Sequence, residues 1–363
     1  MSAAHQYMAL CPDVQQNLDN YFLTCNSANL REPAPFFEAM MSPLNRGNLS
    51  QEIAPGGGKV KTVVLRYDQR KLESDVTQPG TCERSCVATN RTGDLTTSYT
   101  IDPCAYYEES ERIKSNDFTY ACRNNPEIVA GIIQRMIDVL VRRIQTETTS
   151  DAASLVGKWN SLITTSTSPA IGSGSELNML LLNTLKSGST DINPFAFEDL
   201  NGALMQSNIC QLPMIFSGMT FYKYARIMNA GCCSNQGVDL QRLMDQSGMA
   251  VFYDRRVEAA ASGGINGAWA VAPGALQIIT YNENDNGVSE AAGVTVGANY
   301  QKQIIYDPRT SLPIDLDISD NCGTVSIFVR ANAKIVSVPT DLYAPGDQMA
   351  GVTGFMGIKI KNS

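Results

Sequence analysis

The side chains best able to do covalent or acid–base chemistry are few and scattered. One histidine, His5, serves the whole 363-residue chain, so any Ser-His-Asp or Cys-His arrangement must recruit that single group beside a terminus. Ten cysteines stand at Cys11, Cys25, Cys82, Cys86, Cys104, Cys122, Cys210, Cys232, Cys233 and Cys322. None forms a CxxC pair, and Cys82 and Cys86 have no second pair at the spacing of a structural zinc site. Cys232 and Cys233 have no histidine to draw off a proton, so they read as buried or turn thiols. MSAAHQYMALCPDVQQ lacks the basic and apolar regions of a signal peptide, so reduced thiols are expected.

The remaining candidates fare no better. IGSGSELNMLLLN offers a flexible loop before an expected helix, a geometry that receives anions, but it has neither the lysine of a P-loop nor the order of GxGxxG. The acidic runs DLDISD and NENDN lack the EF-hand order. The first alternates Asp315, Asp317 and Asp320 with Leu316 and Ile318, as an exposed strand face does. Glu108, Glu109 and Glu111 read as a solvated acidic turn. Asn48 and Asn90 open sequons that mean nothing without secretion. Arg135, Arg142 and Arg143 could meet phosphates, but surface or intersubunit ion pairs fit them better. No catalytic residue, cofactor or metal site is expected, and the enzyme reading is weak everywhere.

The elements that would position a site are more informative. A formal net charge of -8 argues against a dedicated nucleic-acid binder. No window is apolar enough for a membrane span. In the first 46 residues, VQQNLDNYFLTC reads as an amphipathic helix, and prolines break REPAPFFEAMMSPL into short pieces. QEIAPGGGKVKTVVLRY then switches to a β pattern, with CERSCVATNR as a further short strand candidate and DLTTSYTID following a turn. The excursion, over about 47–110, is polar and has little of its own to bury. An isolated ribbon is marginal in water, so this one is expected to rest on the chain's own body or on a neighbour.

NPEIVAGIIQRMIDVLVRRIQTETTSDAASLVGKW is the longest helical pattern, with Asn125 as N-cap, Pro126 at the first position and an expected span of about 126–156. Ile128, Val129, Ile132, Ile133, Met136, Ile137, Val139, Leu140, Val141 and Ile144 sweep a broad apolar arc. Gly131, Gln134, Arg135, Asp138, Arg142 and Gln145 lie opposite. Aspartate at Ile133 or Leu140 is therefore expected to abolish folding or assembly, and a change at Gln134 to be nearly silent.

After this rod, ELNMLLLNTLKSG reads as another helix. The 194–293 segment reads as an α+β domain: FEDLNGALMQS helix, QLPMIFSG strand, TFYKYARIMN helix, GMAVFYD strand, and GAWAVAPGALQIITY as strand, turn and strand. The last part, 294–363, is β-rich, with QKQIIYD, PIDLDIS and a long TVSIFVRANAKIVSV. It is expected to return beneath the rod, making 194–293 an insertion in a helix-on-sheet unit.

This order, with the phrases FEDLNGAL, GMAVFYDRRV and IYDPRTSLPIDLDISDNC, resembles the HK97-fold major capsid proteins of tailed bacteriophages, in particular podophage-like ones. The resemblance implies an α+β fold with an N-terminal arm (1–46), an extended β-hairpin E-loop (47–110), a P-domain whose spine helix packs on a sheet (111–193 and 294–363), and an inserted A-domain (194–293). It implies a homo-oligomer of hexamers and pentamers closing an icosahedral shell around double-stranded DNA. Portal, scaffolding and decoration proteins are its implied partners, and the virion its location after assembly in the host cytoplasm. Lys59, Lys61 and Arg66 in the E-loop, with Arg135, Arg142 and Arg143 on the spine, are the residues expected to serve assembly. Within structural proteins the rivals are an encapsulin-like compartment or a tail or sheath subunit. From another class, the rival is a cytosolic enzyme with an inserted domain.

Overall fold

The computed structural model describes residues 32–42, 51–54, 61–68, 94–101, 105–114, 126–163, 170–172, 178–185, 193, 195–209, 213–229, 250–281, 300–321, 324–340 and 346–361. His5, all ten cysteines, Asn48, Lys59, Asn90 and the segments VQQNLDNYFLTC, CERSCVATNR and NENDN lie outside them. The described chain mixes helix and sheet, with three separate sheets.

A short helix, α1 (Pro35–Met41), opens on a proline, whose fixed φ suits the first turn. The excursion is a three-stranded antiparallel ribbon of β1 (Gln51–Ala54), β2 (Lys61–Asp68) and β3 (Asp94–Ile101), with β2 in the middle. Two of these strands were expected. The first, over Gln51–Ala54, was hidden by its shortness.

The second sheet carries the rod. It contains β4 (Tyr107–Lys114), β10 (Leu276–Tyr281), β11 (Tyr300–Tyr306), β12 (Pro313–Asn321) and β13 (Thr324–Ser337). The 14-residue β13 is its spine: Thr324–Ala331 pair with β4, Asn332–Ser337 with β10, and Thr324–Arg330 with β12. Val325, Ile327, Val329 and Ala331 point to one face and are buried, following the two-residue period of a strand. On that face lies α2 (Pro126–Ala152), about 40 Å long. A 3-10 turn over Ala153–Leu155 ends it. TETTS does not interrupt the helix. Thr148 and Thr149 instead donate their hydroxyls to the carbonyls of Ile144 and Gln145, each at 2.7 Å, satisfying the side chains within the helix.

The third sheet runs β5 (Ala170–Ile171), β6 (Met179–Asn183), β14 (Phe355–Lys361), β9 (Gly267–Val271), β7 (Met214–Ser217), β8 (Ala250–Tyr253). On one face Ile215, Ala268, Ala270, Met356 and Ile358 share a core with Leu200 and Leu204 of α3 (Ala196–Gln206) and Phe221 of α4 (Met219–Asn229). On the other, Phe216, Trp269 and Phe355 join the rod's core. A six-residue helix, α5 (Arg255–Ala260), packs against the rod, as does α1.

Several expectations need correction. ELNMLLLNTLKSG forms no helix over its apolar centre: Met179–Asn183 is strand β6, with Leu180 and Leu182 buried. A short continuous apolar run reads equally as a strand buried on both faces, and tertiary pairing decided it. The division at residue 293 is crossed in both directions. Strand β10 pairs with β13, while β14 leaves the sheet beneath the rod and sits between β6 and β9. Gln134 and Gln145, placed on the rod's polar face, are buried at 6% and 1% exposure, whereas Val139, placed in the apolar arc, is 44% exposed. Besides the sheet, α1 and α5 pack on the rod, elements that its own periodicity cannot encode. Glu108, Glu109 and Glu111 lie on strand β4, not in a turn. Asp315 and Asp317 are buried rather than on a solvated face: β12 lies between β11 and β13, and Arg330 of β13 reaches Asp317.

Candidate assembly surfaces

Three charged constellations and one ribbon are the features through which this chain could do more than hold itself together. The first lies at the seam between the second and third sheets. Phe36 of α1 is wedged between Phe216 and Trp269, with ring centroids 5.3 Å from each, and Trp269 meets Phe355 edge-on at 5.3 Å. Such edge-to-face pairs add to simple burial. The Phe36 amide donates to Asp254 Oδ2 at 3.1 Å, and Asp254 Oδ1 accepts the Arg256 amide at 2.8 Å as the N-cap of α5. Glu32 pairs with Arg255 at 2.8 Å, and Arg256, almost fully buried, reaches Glu32 at 3.8 Å and the Pro33 carbonyl at 3.4 Å. A stretch near the N-terminus is thereby locked to residues 254–256.

The second constellation sits on the face of the second sheet away from the rod. Arg330 of β13 reaches Glu108 of β4 at 2.5 Å and Asp317 of β12 at 2.7 Å. Its guanidinium lies 5.2 Å from the rings of both Tyr106 and Phe328. Burial works against its charge, but the hydrogen bond to Glu108 and the fields of Asp317 and Glu108 outweigh that, so its pKa lies above the usual arginine value. On the opposite face of β4, Glu111 accepts Arg135 of the rod at 2.7 Å. Strand β4, which follows the ribbon in the chain, is thus pinned from both sides by ion pairs.

The third is the exposed strip of α2. From Val129 on, Arg135, Val139, Arg142, Arg143, Thr146, Ser150 and Asp151 are exposed, with Asp138 and Glu147 half-buried among them. Arg143 pairs with Glu147 four residues on, at 2.5 Å, and Asp138 accepts Gln134 Nε2 at 3.0 Å. Of the expected assembly residues, the structure therefore brings Arg135, Arg142 and Arg143 onto one strip. Lys61 and Arg66 sit on β2, in register with Ile101 and Thr96, far along the chain from that strip.

The sequence reading missed Arg330, Asp317, Asp254 and Arg256. Two signals were there. A charged residue amid the apolar alternation of TVSIFVRANAKIV must find a partner if the strand is covered, and Asp254 directly before RRVEAA is an N-cap pattern. Among the described residues, no helix is long and apolar enough to cross a membrane, and no group of three or more metal-ligating side chains is gathered.

No model of a known protein family matches the chain, and no curated protein matches it. Solved structures do. The cyanophage A-1(L) capsid asymmetric unit is similar at 15% identity, covering 93% of this chain and 97% of that one, with a TM-score of 0.47. The mature capsid of bacteriophage PhiM1 is similar at 9% identity, covering 84% and 83%, with a TM-score of 0.39. The capsid of cyanophage P-SCSP1u is similar at 9% identity, covering 86% of each chain, with a TM-score of 0.38. All three are structures of phage capsids.

Proposed function

We propose that the chain is a shell-forming structural subunit, a major capsid protein of HK97-like type, that assembles with copies of itself into hexamers and pentamers around double-stranded DNA. On this reading, the ribbon β1–β3 is the E-loop, α2 the spine helix, and the unit built on the third sheet the A-domain. The structures named above are capsids, but the reading rests on the chain's own geometry. Its main support is the ribbon: a polar three-stranded sheet that pairs with neither of the other two sheets among the described residues. An isolated two-stranded hairpin is marginal in water, and three strands need an apolar face or a packed helix to stand alone. A second copy is the cover always available to a shell subunit.

The rest is consistent. The rod and its sheet make a stiff beam, and charge pairs on both faces of β4, the strand that follows the ribbon in the chain, hold that strand to the beam. Nothing in this scheme requires bond-making chemistry. Portal, scaffolding and decoration proteins, a place in the virion, and contacts by Lys59, Lys61 and Arg66 with a neighbouring subunit belong to the same proposal. Negative-stain microscopy of the purified chain tests it, with closed shells or ring-shaped capsomers expected. A variant lacking residues 51–101 should keep the helix-on-sheet unit and lose assembly. A chain that stays a 39.4 kDa monomer at all concentrations would contradict the reading.

A further inference from the structure

The outward face of α3 has features that its own subunit does not explain. Phe195, Glu198, Gly202 and Met205 follow one another at the spacing of a single helix face, and all four are exposed. Phe195 and Met205, each 66% exposed, are the most exposed large apolar side chains among the described residues. Leu162, 57% exposed, stands at the C-terminal end of the same helix, in a turn whose Asn160 side chain donates to the Gln206 carbonyl. Between the two apolar ends lies Gly202. A glycine inside a helix costs about 1 kcal/mol against alanine, and a Cβ at Gly202 would meet nothing within 4 Å. No contact within the described chain therefore requires the missing side chain.

Beside α3 on the same sheet lies α4. Phe197 stacks on Tyr224 with ring centroids 5.7 Å apart, and the Tyr224 hydroxyl donates to the Asn193 carbonyl at 2.7 Å. Each helix carries charge of one sign. AFEDLNGALMQ holds Glu198 and Asp199 and no cation, whereas MTFYKYARIMN holds Lys223 and Arg226 and no anion. Glu198, Lys223 and Arg226 are exposed and Asp199 is half-buried. Among the described residues, none of the four makes an ion pair. Glu258, at the start of α4, is taken up by the Met219 amide at 2.9 Å. Burial, and after it the charge of Glu198, holds the Asp199 carboxyl above its usual pKa, an arrangement that a cation from outside would relieve.

We propose that this two-helix layer is a contact between copies of the chain, with the acidic, apolar face of α3 in one copy set against the basic face of α4 in the next. This rests on the shell reading and adds to it a second contact surface, built on the third sheet instead of the ribbon. A second copy is singled out because the two faces complement each other in charge and every copy carries both. Pairing α3 with α3 would oppose Glu198 and Asp199 to their like, and pairing α4 with α4 would do the same for Lys223 and Arg226, so α3 meets α4. Gly202 lets a neighbour approach the α3 backbone closely. Phe195, Met205, Tyr222 and Arg226, whose guanidinium lies 5.9 Å from the Tyr222 ring, are of the types that fill protein interfaces. Two helices about 16 Å long cover less than the about 800 Å² per partner of a stable pair, so this contact strengthens an assembly that the ribbon also holds.

The test is sedimentation velocity of the full chain over a concentration series, with a thermal melt of each variant to confirm its fold. Glu198→Lys should raise the concentration needed for assembly about tenfold, and so should Lys223→Glu/Arg226→Glu, because each sets like charges against each other. The triple variant carrying all three exchanges should assemble within about threefold of the parent, a recovery that damage to the fold cannot give. Gly202→Leu should melt no lower than the parent, since leucine is the better helix former and has room, yet it should need about tenfold more protein to assemble because the added side chain holds the neighbour off. Parent-like assembly by both charge variants would overturn the proposal, assign this face to another partner and leave the shell reading standing. A triple variant that assembles no better than either charge variant would overturn it too, as would parent-like assembly by Gly202→Leu. A parent chain that stays a monomer at every concentration would overturn the shell reading and this contact with it.

Discussion

The two large sheets of this protein are built on opposite principles. In the sheet beneath the rod, β11, β12 and β13 follow one another along the chain as antiparallel neighbours, and only β4 and β10 come from elsewhere. In the other sheet, successive neighbours come from residues 170–183, 355–361, 267–271, 214–217 and 250–253, so almost every pairing closes a long loop. The first is a local meander that propagates from its own turns. The second exists only once distant segments have met, and loop closure then makes each of its strands matter more to the whole. Phe36 couples the two, since it touches aromatic residues of the third sheet while its helix lies on the rod.

The sharpest way to break this contrast is to remove β14. Phe355, Met356, Ile358 and Ile360 are all 3% exposed or less, and burial of four such side chains is worth about 6–12 kcal/mol, comparable with the whole stability of a domain. A chain ending at Gly354 should lose its third sheet altogether, seen as loss of the cooperative thermal transition and of near-ultraviolet dichroism from Trp269. Next in size is Phe36→Ala, which empties the seam and should cost about 3–5 kcal/mol in denaturant unfolding. If the two sheets are coupled as described, that variant should unfold in two steps instead of one.

Arg330→Gln strikes the meander alone. It removes the 2.7 Å ion pair from Asp317, a carboxylate only 2% exposed, at a cost of about 2–3 kcal/mol. Asp317→Asn in the same chain should recover much of that, and a double-mutant cycle measures the coupling. The smallest effect separates sequence from structure at one position. On a solvated helix face Gln134→Lys would be silent. At 6% exposure it should cost about 2 kcal/mol, because an ammonium replaces a neutral amide in a covered site.

The same contrast explains what could be read in advance. The meander was legible because alternation in PIDLDIS and TVSIFVRANAKIVSV is a local signal, and so was the rod, whose start and core residues follow from Pro126 and the spacing of Ile133, Ile137, Leu140 and Ile144. In the third sheet QLPMIFSG, GMAVFYD and GAWAV were legible as strands, but their neighbours were not, since MLLLN carries no periodicity that distinguishes a buried strand from a helix, and nothing in FMGIKIK names its partners. The charged groups failed for a related reason. Asp317 and Arg330 look like solvated residues until the sheet that brings them together is known. The arginines of the rod were picked out as candidates and are exposed, yet Gln134 and Gln145, read on the same polar side, are buried.

The proposed shell role rests on the polar ribbon's need for a cover. Sedimentation velocity of the full chain, run beside the variant lacking residues 51–101, tests it most directly. Large particles or capsomers are expected for the full chain and a folded monomer for the variant. A full chain that sediments only as a 39.4 kDa species, with the ribbon deletion making no difference, would contradict it.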